Sequence, residues 1–277
     1  MLSNLRKLLF GRLIPALSRT PLRGGLAFAK ARIPQVGNLF RYARPTEIQE
    51  MLSGGGRYSQ ILLSHKGHRV GKWLQYAPTY DFLLEMVLKH VKPIESSQIN
   101  ILEIGVSHGG SLEIWREYFG PRATVIGIDI DPRCGGLKLK DCQIRVGSQS
   151  DVLFLKDVAS TFAGPIAMVV DDGSHQGPDQ IVSFEALWPL VAEGGLYIVE
   201  DLHTSYWSEF HSQAGSDFLT YCGEILDLLH SDYHSCKFRN PELHLRRDIS
   251  ALYFFESIVA IRKGVRPQAL RLELPTR

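Results

Sequence analysis

Acidic residues are missing from the first 46 positions, where Arg6, Lys7, Arg12, Arg19, Arg23, Lys30, Arg32, Arg41 and Arg44 supply nine of the chain's 31 basic residues. All 29 acids follow, so the remainder carries a net charge of −7 and is not expected to bind nucleic acid. Uninterrupted apolar runs are also too short for a secretory signal core or a membrane span. Cysteine is sparse. Cys134, Cys142, Cys222 and Cys236 form no C-x-x-C pair and read as free thiols in a reducing compartment. Internal repeats, low-complexity tracts and the G-x-G-x-x-G signature of dinucleotide enzymes are likewise absent.

In the basic head, Leu2, Leu5, Leu9 and Leu13 recur at helical spacing up to Pro15, with Arg6, Lys7 and Arg12 between them. Such an amphipathic basic helix suits an anionic membrane surface. An acid-free, Arg-rich start also fits a mitochondrial presequence, and a tail disordered or packed on a partner is the third reading. We therefore expect a basic extension over 1–46 and a cytoplasmic protein with peripheral membrane contact through it. A mitochondrial location is the alternative. The length of 277 residues leaves one ordinary domain beyond the extension, or at most two small ones.

Residues 101–112, ILEIGVSHGGSL, read as a strand, a tight glycine turn at Gly105, Gly109 and Gly110, and a helix start. That turn lets backbone approach a ligand, and the helix N-terminus supplies free N–H groups. A second strand, ATVIGIDID, ends in Asp129 and Asp131. Asp129 is placed to accept hydrogen bonds from both hydroxyls of a ribose. A third, CQIRVG, ends in Ser148, Gln149, Ser150 and Asp151, beside a nucleobase or capping the next helix. PIAMVVDDGSH and GGLYIVEDLHTSYW are the fourth and fifth strands, with Gly194 and Gly195 expected to close the helix between them. Ahead of all five, a polar, aromatic stretch from Ser64 suits a loop folded over a site. From Pro78, helical spacing of Tyr80, Leu83, Met86, Val87 and Val91 predicts a helix. The tail, ALYFFESIVAIRKG, predicts two strands or one long one at the sheet's edge. Strands alternating with helices mean an α/β, doubly wound parallel sheet, and the unusual polar clusters fall at strand C-terminal ends, where such sheets bind ligands.

Asp172, Glu200 and Asp201 are three carboxylates at the mouths of two strands expected to be adjacent. Like charges that close repel unless protonated or bridged by a cation, and hard oxygen ligands suit Mg²⁺. His175, three residues after Asp172, is the best-placed general base. Helix capping and loop solvation are the alternatives for each residue taken singly. Their convergence on the edge that carries the glycine turn favours a site.

Taken together, LEIGVSHGGSL, VIGIDIDP, VVDDGSH and IVEDLHTSYW resemble the class I S-adenosylmethionine-dependent methyltransferases. Within these the chain is most similar to the metal-dependent sugar O-methyltransferases of the macrolide type, over residues 64–264. The resemblance implies a mostly parallel, seven-stranded Rossmann-like sheet in 96–277, a helical and lid segment over 47–95, and O-methylation of a sugar hydroxyl on a small molecule or glycolipid. It further implies Glu103, Gly105 and Gly109 around the methionine end of the cofactor, Asp129 at its ribose, and Gln149 and Ser150 near the adenine. Asp172, Glu200 and Asp201 would hold Mg²⁺ and His175 would take the proton. Lys72, Tyr76 and Tyr80 resemble the family's lid, although GHRVGKWLQYAPTY lacks its usual acid–Lys pairing. Homo-oligomerisation stays open. So do a catechol-like or other vicinal-diol acceptor, and a non-catalytic membrane-associated binding protein on the same fold. A nicotinamide-dependent dehydrogenase would share Asp129 but has no use for the paired carboxylates.

Overall fold

A computed structural model describes residues 41–91, 98–207, 210, 217–233 and 247–273. The amphipathic helix expected over Leu2–Leu13 lies outside them. Pro45–Arg277 forms one unit, built on a seven-stranded sheet in the order β3-β2-β1-β4-β5-β7-β6. Its strands are β1 (Ile99–Ile104), β2 (Ala123–Asp129), β3 (Cys142–Val146), β4 (Ile166–Asp171), β5 (Val191–Val199), β6 (Ile249–Phe255) and β7 (Ile258–Lys263). The first five are parallel, and β7 inserts antiparallel between β5 and β6. The fold is therefore the α/β methyltransferase sheet the motifs implied, mostly parallel with β7 alone running antiparallel to the other strands. The tail makes two strands because Ser257, with φ at 63°, turns the chain back between them.

The central strands are mostly apolar because both faces are covered. Leu102 and Ile104 point to one side with Ile126, Ile128, Tyr197 and Val199, under α5 (Val152–Ser160), α6 (Gly177–Leu187) and α7 (Phe218–Leu229). Ile101 points to the other with Val125, Met168 and Ile198, under α2 (Arg57–Ser64), α3 (Tyr76–His90) and α4 (Gly110–Phe119); α1 (Pro45–Leu52) adds Leu52 to that layer. Period-two alternation puts Glu103 on this second face. It is the one charged residue of β1, and it is wholly buried.

Helix α3 begins at Tyr76, before Pro78, because proline is tolerated in a first turn that needs no N–H partner. Asp151 caps α5 by accepting from Leu153 and Phe154 N–H. The helix-closing role expected of Gly194 and Gly195 is not what they do. Helix α6 ends at Leu187 and a turn at Trp188–Leu190 leads into β5, so both glycines lie inside that strand. Gly194 has φ at 82°, and a Cβ there would collide with the carbonyl of His90. The strand passes close against the end of α3 there, where only glycine fits.

Candidate active site

Strand order reverses between β1 and β4, so the crevice between their C-terminal ends is where this topology takes a ligand. Five turns meet there, one after each parallel strand from β1 to β5. The first, after β1, holds Gly105 with φ at 95°, and a Cβ would strike the carbonyl of Asp172. Glycine is needed because the turns after β1 and β4 touch. Gly109, at φ 84°, begins α4 beside Leu137 and Leu139.

The turn after β2 carries Asp129. Its Oδ2 accepts from the N–H groups of Val106 and Ser107, both at 2.9 Å, and Oδ1 accepts from Asp131 N–H at 2.8 Å. A carboxylate has about four acceptor positions. Two serve the glycine turn and a third its own turn, so the group that would meet a ribose also holds the β1 turn in shape.

Gln149 and Ser150 follow β3. Gln149 is buried, and both ends of its amide are engaged: Nε2 donates to Asp171 Oδ1 at 3.1 Å, and Oε1 accepts from Ser174 N–H at 2.7 Å. Ser150 Oγ donates to Asp179 at the start of α6, at 2.5 Å. Asp171 itself is fully buried, with Ser183 Oγ at 2.7 Å and Tyr197 Oη at 3.1 Å as further donors. Burial pushes its pKa above the ordinary carboxylate value despite these bonds. The adjacent acids Asp171 and Asp172 thus divide. The first braces the fold and the second faces the crevice.

Asp172, His175 and Asp201 come together. His175 Nε2 lies 3.9 Å from Asp172 Oδ1 and 3.8 Å from Asp201 Oδ2. One ligand atom from each of the three lies within 4.8 Å of the others, the spacing of a cation site. His175 and Asp201 both adopt φ of 56°, in the left-handed region that costs a non-glycine residue roughly 1–2 kcal/mol. Backbone strain at two members of one cluster is the kind stored at functional sites. The Nδ1 of His175 is buried and has no hydrogen-bond partner among the described residues.

Glu200 stands apart from that trio. Its Oε1 accepts from Lys72 Nζ at 2.6 Å and Tyr80 Oη at 2.5 Å. Lys72 Nζ also donates to Asp172 Oδ2 at 2.7 Å and lies 3.7 Å from Glu103 Oε1. One ammonium therefore sits among three carboxylates. Burial alone would lower the Lys72 pKa, but Asp172, Glu200 and Glu103 together hold it well above its ordinary value. Glu200 is pushed up to about 8, by burial first and by Asp172 second, with Lys72 opposing. Burial likewise raises Asp172 and Glu103. Beneath them Tyr58, Tyr80 and Trp115 pack ring to ring, with centroids 5.0–5.5 Å apart. Trp115 Nε1 donates to Glu103 Oε2 at 2.8 Å. This aromatic floor keeps the cluster dry, which strengthens each charge interaction in it.

The segment between α2 and α3 lies over these turns. Besides Lys72 it supplies Trp73 Nε1, which donates to Asp201 Oδ1 at 3.0 Å, and Tyr76 Oη at the start of α3 donates to the same oxygen at 2.6 Å. At its other end His68 N–H and Nδ1 pair with Glu113 on α4, at 2.7 and 2.9 Å. Trp73, Glu113, Tyr58 and the Asp171 brace escaped sequence reasoning, because each depends on a partner 12 to 128 positions away. The bare Glu in INILEI was the one legible clue to the buried ammonium.

No protein-family model matches the chain. A mycinamicin VI 2''-O-methyltransferase of Micromonospora griseorubida is 33% identical over 202 residues, covering 68% of this chain and 48% of the relative. An 8-demethyl-8-alpha-L-rhamnosyl tetracenomycin-C 2'-O-methyltransferase of Streptomyces olivaceus is 33% identical over 185 residues, 63% of this chain and 48% of the relative. This chain is a homologue of the macrolide and sugar O-methyltransferases. A solved methyltransferase of the mycinamycin biosynthetic pathway, in complex with Mg and SAH, superposes with a TM-score of 0.60 at 28% identity. That match covers 84% of this chain and 58% of the other. The chain thus spans about half the length of the curated relatives it matches.

Proposed function

We propose that the protein is an S-adenosylmethionine- and Mg²⁺-dependent O-methyltransferase acting on a hydroxyl of a sugar or glycosylated acceptor, with His175 as general base. The observation that carries this reading is the grouping of Asp172, His175 and Asp201 beside the glycine turn and Asp129. Support comes from the relatives, whose names specify sugar hydroxyls, and from a solved relative that holds Mg and SAH.

The carboxylates of Asp172 and Asp201 offer oxygens to a hard cation, with positions to spare for acceptor oxygens. When bound, the cation lowers the pKa of a neighbouring hydroxyl and the sulfonium cofactor supplies the methyl group. Asp172 and Asp201 fix where that hydroxyl stands, and His175 Nε2 faces the same point to take its proton as the oxygen–methyl bond forms and the sulfur–methyl bond breaks. Lys72 offsets the repulsion among Asp172, Glu200 and Glu103, and Trp73 and Tyr76 hold Asp201 in place.

A Mg²⁺ titration of methyl transfer to mycinamicin VI and simple glycosides tests the assignment. Asp201→Asn should raise the Mg²⁺ needed for turnover, and excess metal should restore part of the rate. His175→Ala should lower turnover by roughly 10²–10⁴-fold with no rescue. Rescue of His175→Ala by Mg²⁺ would make His175 a ligand instead of the base. Full activity of both variants in excess chelator would refute metal and base together.

A further inference from the structure

His175 and Asp201 are the two left-handed residues of the cluster, and one buried hydroxyl lies against the carbonyls of both. Thr204 Oγ1 is 2.7 Å from Asp201 O and 3.3 Å from His175 O. A hydroxyl has a single hydrogen, so its donor is shared between the two carbonyls, with Asp201 the nearer. Thr204 N–H also donates to Asp201 O, at 2.9 Å. Thr204 therefore ties the turn after β5 to the turn after β4. Gln149 grips the β4 turn from the other side. Its Oε1 accepts from Ser174 N–H at 2.7 Å, and a Cβ on Gly173 would strike the same oxygen. The amide cannot turn over. Its Nε2 donates to Asp171, which Ser183 and Tyr197 also hold, and a reversed amide would set Oε1 against that carboxylate and an NH₂ against Ser174 N–H. Ser174, fixed in this way, accepts from Gln176 N–H through Oγ at 3.1 Å.

We propose that Thr204 and Gln149 are positioning residues that hold His175 in its left-handed conformation and so aim its imidazole at Asp172 and Asp201. A side-chain-bearing residue at φ 56° persists only where its surroundings over-determine it. Here the peptide that follows His175 is held at both ends, its carbonyl by Thr204 and its N–H by Ser174 Oγ, and Ser174 is held in turn by Gln149. Freed of these bonds, the turn would relax toward negative φ, which is less crowded. The direction of Cβ follows the backbone, so the ring would leave the point it shares with the two carboxylates. That this loss costs turnover rests on the reading of His175 as general base; the grip on the backbone does not. A reacting group misplaced by about 1 Å costs on the order of 10²-fold in rate.

The test uses the full chain loaded with SAH and Mg²⁺ and follows the His175 ring by NMR of carbon-labelled histidine, its signals being those lost in His175→Ala. Wild type should give one sharp set. Thr204→Val, which keeps the shape and removes the hydroxyl, should split or broaden that set, and Thr204→Ser should restore it. Gln149→Met, on a different element, should act as Thr204→Val does and provides the second lesion should that variant fail to fold. SAH affinity of Gln149→Met by calorimetry should equal that of wild type, because the amide is spent inside the protein. With mycinamicin VI as acceptor, both lesions should lower turnover roughly 10- to 100-fold without raising the acceptor KM, and Thr204→Ser should recover most of the rate. A single sharp His175 set in both lesions overturns the grip. Equal damage in Thr204→Ser and Thr204→Val overturns the part of the hydroxyl, and weakened SAH binding in Gln149→Met makes Gln149 a cofactor contact instead. Ring signals that respond as expected in a chain without methyl transfer leave the grip standing and overturn the methyltransferase reading.

Discussion

Lys72 shows how much one residue decides here. Its ammonium is the counter-charge of three carboxylates contributed by β1 and by the turns after β4 and β5. Removing one partner of a buried ionic group typically costs about 3–5 kcal/mol, because the remaining charge has neither water nor partner. Lys72→Met should therefore lower the urea midpoint of the metal-free protein substantially. Adding Glu200→Gln to that background should recover part of the loss, since one stranded charge is gone. Additive destabilisation by the two substitutions would contradict the pairing. Asp171 and Asp172 make the same point differently: neighbours in sequence, they serve brace and crevice because successive residues leave a strand on opposite sides.

At the scale of elements, the segment between α2 and α3 is the part the strands do not dictate. Glu113 pins it to α4 through His68. Burial raises the Glu113 pKa, but the two bonds from His68 outweigh burial and the carboxyl lies below its ordinary value. An acid held lower in the folded state stabilises above its unfolded pKa and loses that contribution as pH falls through the folded one. Glu113→Gln should hence cost about 1–3 kcal/mol at pH 7, the usual worth of a hydrogen bond to a charged group. Urea melts of the two proteins should converge at pH values below both pKa values. A cost that persists unchanged at low pH would mean that Glu113 acts by packing alone. Hydrogen exchange should speed up across 65–75 in the variant, since the segment loses one of its two anchors.

For the whole molecule, charge is distributed unevenly. Residues 1–46 hold nine basic side chains and no acid, against a net −7 for the remainder. Among the described residues no helix is long and apolar enough to cross a membrane. We propose that the head attaches the protein peripherally to anionic surfaces. Sedimentation with phosphatidylserine vesicles should show binding at low ionic strength that weakens as salt is added. Deleting residues 1–44 should abolish it, because the unit from Pro45 onward repels such a surface. Equal sedimentation of full chain and deletion variant would remove membrane contact from the head's functions.

The sheet was legible because its signals are local. In β1, β2, β4 and β5, mostly apolar runs of six to nine residues, each ended by glycine or a carboxylate, need no distant partner to be read as buried parallel strands. The same locality put Asp129, Asp172, His175, Glu200 and Asp201 at strand ends, and a strand's C-terminal end in such a sheet faces the crevice. Which of those groups meet was not legible. Glu200 and Asp201 are consecutive, yet one turns inward to Lys72 and Tyr80 while the other turns toward His175, under Trp73 and Tyr76. Those partners come from a segment more than a hundred residues earlier, which only packing against α4 brings over the site. The type of an element follows from neighbours along the chain. The partner of a buried charge follows from neighbours in space, and those exist only once the chain has folded.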